Sequence, residues 1–183
     1  MKLSPVLSAL AGFALVQASL PAQQNSIDFT EYPDALNRTD RDFLQATAQG
    51  LRFEVAAGKL AQTRAAGSAV KQFGLYMVRD HSADYTALAA LAQEEAVPLP
   101  PGLSSDQSAE YEKLKSLSGA AFDQEYIGFE IQDHHLDIQD YTEEVRNGED
   151  FEVQRYAADG VTELLEHLAM AQSIGKALGV NGP

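Results

Sequence analysis

The sequence predicts an all-α protein built on four long helices. Three observations predict it. Apolar residues recur at spacings of three and four over long stretches, the mark of amphipathic helices. No stretch alternates with a period of two for long enough to make a strand. Pro, Gly and Asn-Gly signals fall between the periodic stretches rather than inside them.

The elements follow in order along the 183 residues. Lys2 and the apolar run Leu3–Val16 read as the n- and h-regions of a secretory signal peptide, with cleavage after Ala18 or Ala22. Pro5, Gly12 and Gln17 interrupt the run, which makes it a poor membrane anchor. The polar stretch Gln23–Arg38 is expected to be an irregular lead-in, so the domain proper is assigned to 39–179. Thr39 or Asp40 is expected to cap the first long helix, with Asp42 in its first turn; that helix runs to about Ala66. The second covers about Ser68–Ala96 and stops before Pro98, Pro100 and Pro101, which cannot continue a helix. Ser104–Ser118 reads as a short extra helix, and Gly119 as a break after it. The third long helix spans about Ala120–Arg146 and is expected to end on a left-handed residue at Asn147-Gly148. Asp150 caps the fourth, which runs to Leu178 before Gly179.

A tight turn between the third and fourth long helices makes them antiparallel neighbours. The long connection between the second and third has the length to cross the bundle. That layout suits a ferritin-like four-helix bundle with one crossover, and it also suits an up-down bundle with a decorated loop.

Composition narrows the function. There are 13 Lys and Arg against 27 Asp and Glu, a net charge of −14. Nucleic acid and anionic lipid both require a basic face, so neither is expected as a partner. The absence of cysteine excludes disulfides, thiolate metal sites, Cys nucleophiles and a lipid anchor on Cys. Gly-rich phosphate loops and G-x-S-x-G elbows are missing. No apolar run after the signal peptide is long enough to span a membrane. An exported chain without cysteine fits a bacterial periplasm or the cell exterior, with association to the outer membrane left open. A protein partner in the envelope or a second copy of the chain also stays open.

The chemistry concentrates on histidine. The segments Met77–Leu88 and Glu130–Tyr141 each contain Asp-His followed by an Asp three residues after the His. The apolar stripes run Val70, Phe73, Met77, His81, Asp84, Leu88 in the second long helix and Ile127, Ile131, His134, Ile138, Tyr141, Val145 in the third. In the fourth, the stripe runs Val153, Ala157, Gly160, Leu164, His167, Ala171. His81, His134 and His167 should therefore face the core, while His135, about 100° away, should point to solvent or the bundle's edge. The first long helix has two competing stripes, one with Glu54 inward and one with Phe53 inward.

Glu54, His81, His134 and His167 all lie near the middle of their helices, within about 6 Å in axial rise. Antiparallel packing keeps midpoints together, so the four can share one layer. Asp84, Glu130, Asp137 and Glu163 stand three or four residues from these histidines, on the same faces, and can modify the layer. Asp80 and Asp133 are expected off the stripe, solvated or paired.

Imidazole and carboxylate donors together suit Fe, Mn, Zn or Cu. Di-metal carboxylate bundles use Glu-x-x-His on two helices; here Val78, Ile131 and Leu164 stand where those glutamates belong, which argues against that site. Three readings remain open: a mononuclear metal site, a hydrogen-bonded histidine layer without metal, and a metal-dependent oxidase or peroxide-handling enzyme. The last needs an open coordination position.

Several groups of residues resemble an uncharacterised bacterial family, numbered 4142 among the domains of unknown function and described as outer-membrane or periplasmic proteins. They are Phe43-Leu44, Glu54-Val55, Gly58, Leu60-Ala61, Met77-Val78, Asp80-His81, Leu88, Leu117, Gly119, Phe122-Asp123, Tyr126, His134, Glu166-His167-Leu168 and Ala171. The resemblance spans about Asp40–Ile174. It implies an exported ferritin-like bundle without an established activity. It also implies that Glu54, His81, His134 and His167 form the site layer, whereas Asp84, Glu130, Asp137 and Glu163 are particular to this chain. The reading that results is a metal-binding, stress-associated envelope protein with no assigned catalysis; the alternative is a structural or interaction module.

Overall fold

A computed structural model describes residues 36–180. The expected signal peptide, residues 1–22, and the lead-in up to residue 35 lie outside the described residues. The described part is helical, with α1 Arg38–Arg64, α2 Ser68–Glu94, α3 Ser105–Ser116, α4 Gly119–Asn147 and α5 Phe151–Leu178. No strand occurs among these residues, which fits the expected all-α class.

Helix α1 starts two residues earlier than expected. Asn37 is its cap, accepting from the Asp40 backbone N–H. Asp40 is thereby freed for a longer reach. Its buried carboxylate accepts the backbone N–H groups of Glu149 and Asp150, each at 3.0 Å, and so ties the α4–α5 turn to the start of α1. At the other end of the bundle Asp123 does the same work, accepting from Ala66 and Gly67 in the α1–α2 turn.

These two ties set the helix directions. Helix α1 runs antiparallel to α2 and to α4, and α5 runs antiparallel to α4. Helix α4 therefore starts at the end where α2 starts, and the connection between them, with α3 inside it, spans the bundle's length. A full capping box between Ser104 and Gln107 sets α3 at its start. Gly119 has φ +67°, so the expected break becomes the left-handed first residue of α4.

Two other stops differ in kind. Gly179 ends α5 in the left-handed conformation, φ 71°. Gly148, expected to do the same for α4, is extended at φ −62°. Glycine is required there by proximity: a Cβ would lie 2.8 Å from Asp40 Oδ1 and against the Glu144 carboxylate. Glu144 is buried here, and Val145, expected on the core stripe, is 38 % exposed.

The core divides into two apolar clusters. One holds Phe53, Phe73, Met77, Phe122, Tyr126, Ile131 and Leu168. The other holds Phe43, Leu44, Leu88, Tyr141, Val153 and Leu164. His81, His134 and His167 fall between the two clusters in sequence on their helices, and Glu54 directly follows Phe53 of the first cluster. Glycines 58 and 74 let α1 and α2 approach closely, since a Cβ on Gly58 would lie 2.7 Å from the Gly74 carbonyl oxygen.

Candidate metal centre

One histidine comes from each of three helices: His81 from α2, His134 from α4 and His167 from α5. Their ring centroids are 5.1, 5.6 and 5.9 Å apart, and one nitrogen from each lies within 4.8 Å of the others. All three rings are at most 2 % exposed. His135 is half-buried at the α4–α5 edge, 3.3 Å from the Gln172 amide, and takes no part.

Two of the three rings are oriented from behind. His134 donates Nδ1–H to the Glu130 carbonyl oxygen at 2.9 Å, which leaves Nε2 as the lone-pair nitrogen. His167 donates Nε2–H to Asp80 Oδ2 at 3.2 Å, leaving Nδ1 free. The Arg79 guanidinium, with help from His167, holds Asp80 below the usual carboxylate range, so Asp80 stays a charged acceptor. This is the outer-shell arrangement that metal-ligating histidines use to fix tautomer and raise basicity.

The inward nitrogens have no partner. His134 Nε2, His167 Nδ1 and both nitrogens of His81 are buried without a hydrogen bond. A buried unsatisfied polar atom costs about 1–3 kcal/mol, and four in one pocket require an occupant or a reason. Burial holds all three imidazoles below their ordinary value: His81 far below, His134 pushed down to about 3, His167 less because Asp80 opposes the shift. They are neutral rings, each with a nitrogen within 4.8 Å of the others, and a transition ion requires neutral imidazole. The donor set fits a metal.

Glu54 enters this layer by a different door. It is buried with both oxygens unpartnered, and it groups with Glu130 and His134 rather than with the other two histidines. The competition between the two α1 stripes has no loser, since Phe53 and Glu54 are both buried. A cavity of about 10 Å³ connects Glu54 and His81, bordered by Asp137, Tyr141 and Leu164. Burial, then the neighbouring Glu130 and Asp133, push Glu54 well above the carboxylate range, and burial pushes Glu130 up to about 8. Both carboxyls, behind His134, therefore hold a proton more readily than free ones. Of the remaining expected modifiers, Asp84 and Glu163 stand half-buried beside His81, while Asp137 joins no ligand group.

With this geometry in view, known proteins become informative. A family model described as "Domain of unknown function (DUF4142)" matches residues 30–174. The chain belongs to the DUF4142 family. No curated protein matches it. Among solved structures, a DUF305 protein from Streptomyces coelicolor, described as secreted, shares the fold at a TM-score of 0.69 and 14 % identity, covering 83 % of this chain and 98 % of its own. A DUF305 fragment from Deinococcus radiodurans gives 0.67 and 14 %, covering 79 % and 98 %. CopM in a Cu(II)-bound form gives 0.64 and 15 %, covering 75 % and 96 %. At such identities the likeness is one of fold, so this DUF4142 chain shares a helical architecture with DUF305 proteins.

Sequence reasoning missed Asp80 as the partner of His167. The signal was the Asp-His pair itself, but Asp80 serves a histidine on another helix and not its neighbour His81. The two D-H-x-x-D segments are thus unequal in this DUF4142 protein. Asp80 faces His167 across the α2–α5 seam, whereas Asp133 turns toward Glu54 and the α1–α4 side.

Proposed function

We propose that this protein is an exported metal-binding bundle that holds one divalent transition ion on His81, His134 and His167. The observation that carries the proposal is the set of inward, buried, unpartnered imidazole nitrogens. A hydrogen-bonded histidine layer without metal would need those nitrogens to be partnered, and His81 has no side-chain hydrogen bond among the described residues.

Three neutral nitrogen donors favour Cu(II), and then Zn(II), over Fe(II) and Mn(II), both by ligand type and by the general order of divalent affinities. The fold shared with CopM, a protein solved with Cu(II), supports the same choice. Glu54 is the outer carboxylate of the layer, acting with Glu130 behind His134. The single crossover between α2 and α4 supports a ferritin-like arrangement. The N-terminal segment and the likeness to a protein described as secreted support export to the periplasm or beyond.

The test is elemental analysis of the mature protein purified without chelator, beside a His81→Ala/His134→Ala variant. Near-stoichiometric Cu or Zn in the native protein and none in the variant is the expected result. No metal in either, and none taken up on titration, overturns the proposal.

A further inference from the structure

The α2–α5 seam carries an acidic groove of about 450 Å³. Carboxylates from both helices line it: Asp84 and Glu94 from α2, Glu152, Asp159 and Glu163 from α5. Among the described residues its one lining cation, Arg155, is already paired with Glu152 and Asp159. Asp84 and Glu163 line the groove and also group with the histidines, which marks its inner end.

The inner end is built from ligand atoms. His81, Asp84 and Glu163 each offer one within 4.8 Å of the others, and so do Asp80, Glu163 and His167. His81 is 2 % exposed, and its unpartnered Nδ1 lies 3.9 Å from Asp84 Oδ2. Glu163 Oε1 is also buried without a partner. A carboxylate pair open to the groove on one side, and sharing His81 and His167 with the trio on the other, is a continuous run of donors from solvent to core.

We propose that Asp84 and Glu163 form a loading position, which takes a divalent cation from the groove and passes it to His81 and His167. The position has a mixed carboxylate–imidazole donor set, so it accepts the hydrated ion before the all-nitrogen trio strips it. An acidic cleft with low-dielectric walls concentrates cations and raises their association rate.

The opposite seam, between α1 and α4, is acidic as well, with Asp133, Asp140 and Glu143 along it. It does not offer the same run. Among the described residues Asp133, Asp140 and Glu143 join no ligand group with a histidine; this side reaches the trio through the buried Glu54 and Glu130 to His134, whose Nδ1 is engaged by a carbonyl, and through the cavity of about 10 Å³ that Asp137 and His81 border.

The inference rests on the three-histidine reading, and one kinetic experiment separates the two. Metal-free mature protein is mixed with Cu(II) alone at low ionic strength, and uptake is followed by the absorption of the copper–imidazole complex. The Asp84→Asn/Glu163→Gln variant should load about tenfold more slowly or worse, with weaker salt dependence, yet reach the native stoichiometry. The Asp140→Asn/Glu143→Gln variant carries the same charge change on the opposite seam and should load at the native rate. Glu163→Gln alone, the milder change, should show a smaller slowing and serves if the double variant fails to fold. Loading of the Asp84/Glu163 variant within twofold of the native rate overturns the loading position and leaves the three-histidine centre standing, as does equal slowing in the Asp140/Glu143 variant. A native protein that takes up no Cu(II) overturns both.

Discussion

Histidine 81 is the most exposed of the site residues to a simple energetic argument, because neither of its nitrogens has a hydrogen-bond partner. Leucine has a similar volume and no polar atoms to bury. In the metal-free protein, His81→Leu should therefore raise stability by about 1–3 kcal/mol, the cost of an unsatisfied buried polar group. The same substitution should abolish metal binding. Denaturant unfolding of the chelated protein checks the first outcome, and metal titration the second; a loss of stability in the chelated state would contradict this account. At this scale the sequence was informative about which histidines point inward, because a period of 3.6 decides that within one helix. His81, His134 and His167 are buried and His135 is not, as their stripes predict. It was silent on Asp80, whose partner His167 depends on how α2 and α5 are rotated against each other. Glu54 lay between: its burial was one of two readings, and its grouping with Glu130 needed the position of α4.

At the scale of elements, two kinds of contact hold the layer in register. The first is the close approach of α1 and α2 at Gly58 and Gly74. Gly58→Ala would press a methyl into the Gly74 carbonyl, and it should destabilise the fold by about 1–3 kcal/mol, read by thermal or denaturant unfolding. The second is the acid cluster where α1, α4 and α5 meet. Burial, reinforced by Asp40, pushes Glu144 up to about 8 in the folded protein. An unfolded glutamate titrates near 4.3. The folded state therefore binds the extra proton on Glu144 between those values, and the contribution of Glu144 to stability falls as pH rises from about 4.3 to 8. Glu144→Gln should flatten that slope, matching the native protein near pH 4 and exceeding it by several degrees in Tm at pH 8. Parallel melting curves over that range check it, and an unchanged slope would contradict it. Helix ends were legible to within two or so residues, since Pro, Ser and Asp signals act locally. Gly148 was not, because its glycine answers a contact with Asp40, more than a hundred residues away in the chain, and not a local turn.

Across the whole molecule, the fold is a frame that brings three helix midpoints to one level between two apolar clusters. The all-α class was readable from periodicity, and the crossover was one of two layouts the connection lengths allowed. Asp40 and Asp123 tie the bundle's two ends. No helix among the described residues is long and apolar enough to cross a membrane. The net charge of −14 gives the molecule a field that attracts cations. The central claim is that those imidazoles hold the metal, and anomalous diffraction from crystals grown with Cu(II), collected at the copper edge, tests it most directly. The strongest anomalous peak should lie between His81 Nδ1 or Nε2, His134 Nε2 and His167 Nδ1. A strongest peak on surface carboxylates, or none inside the bundle, would contradict it.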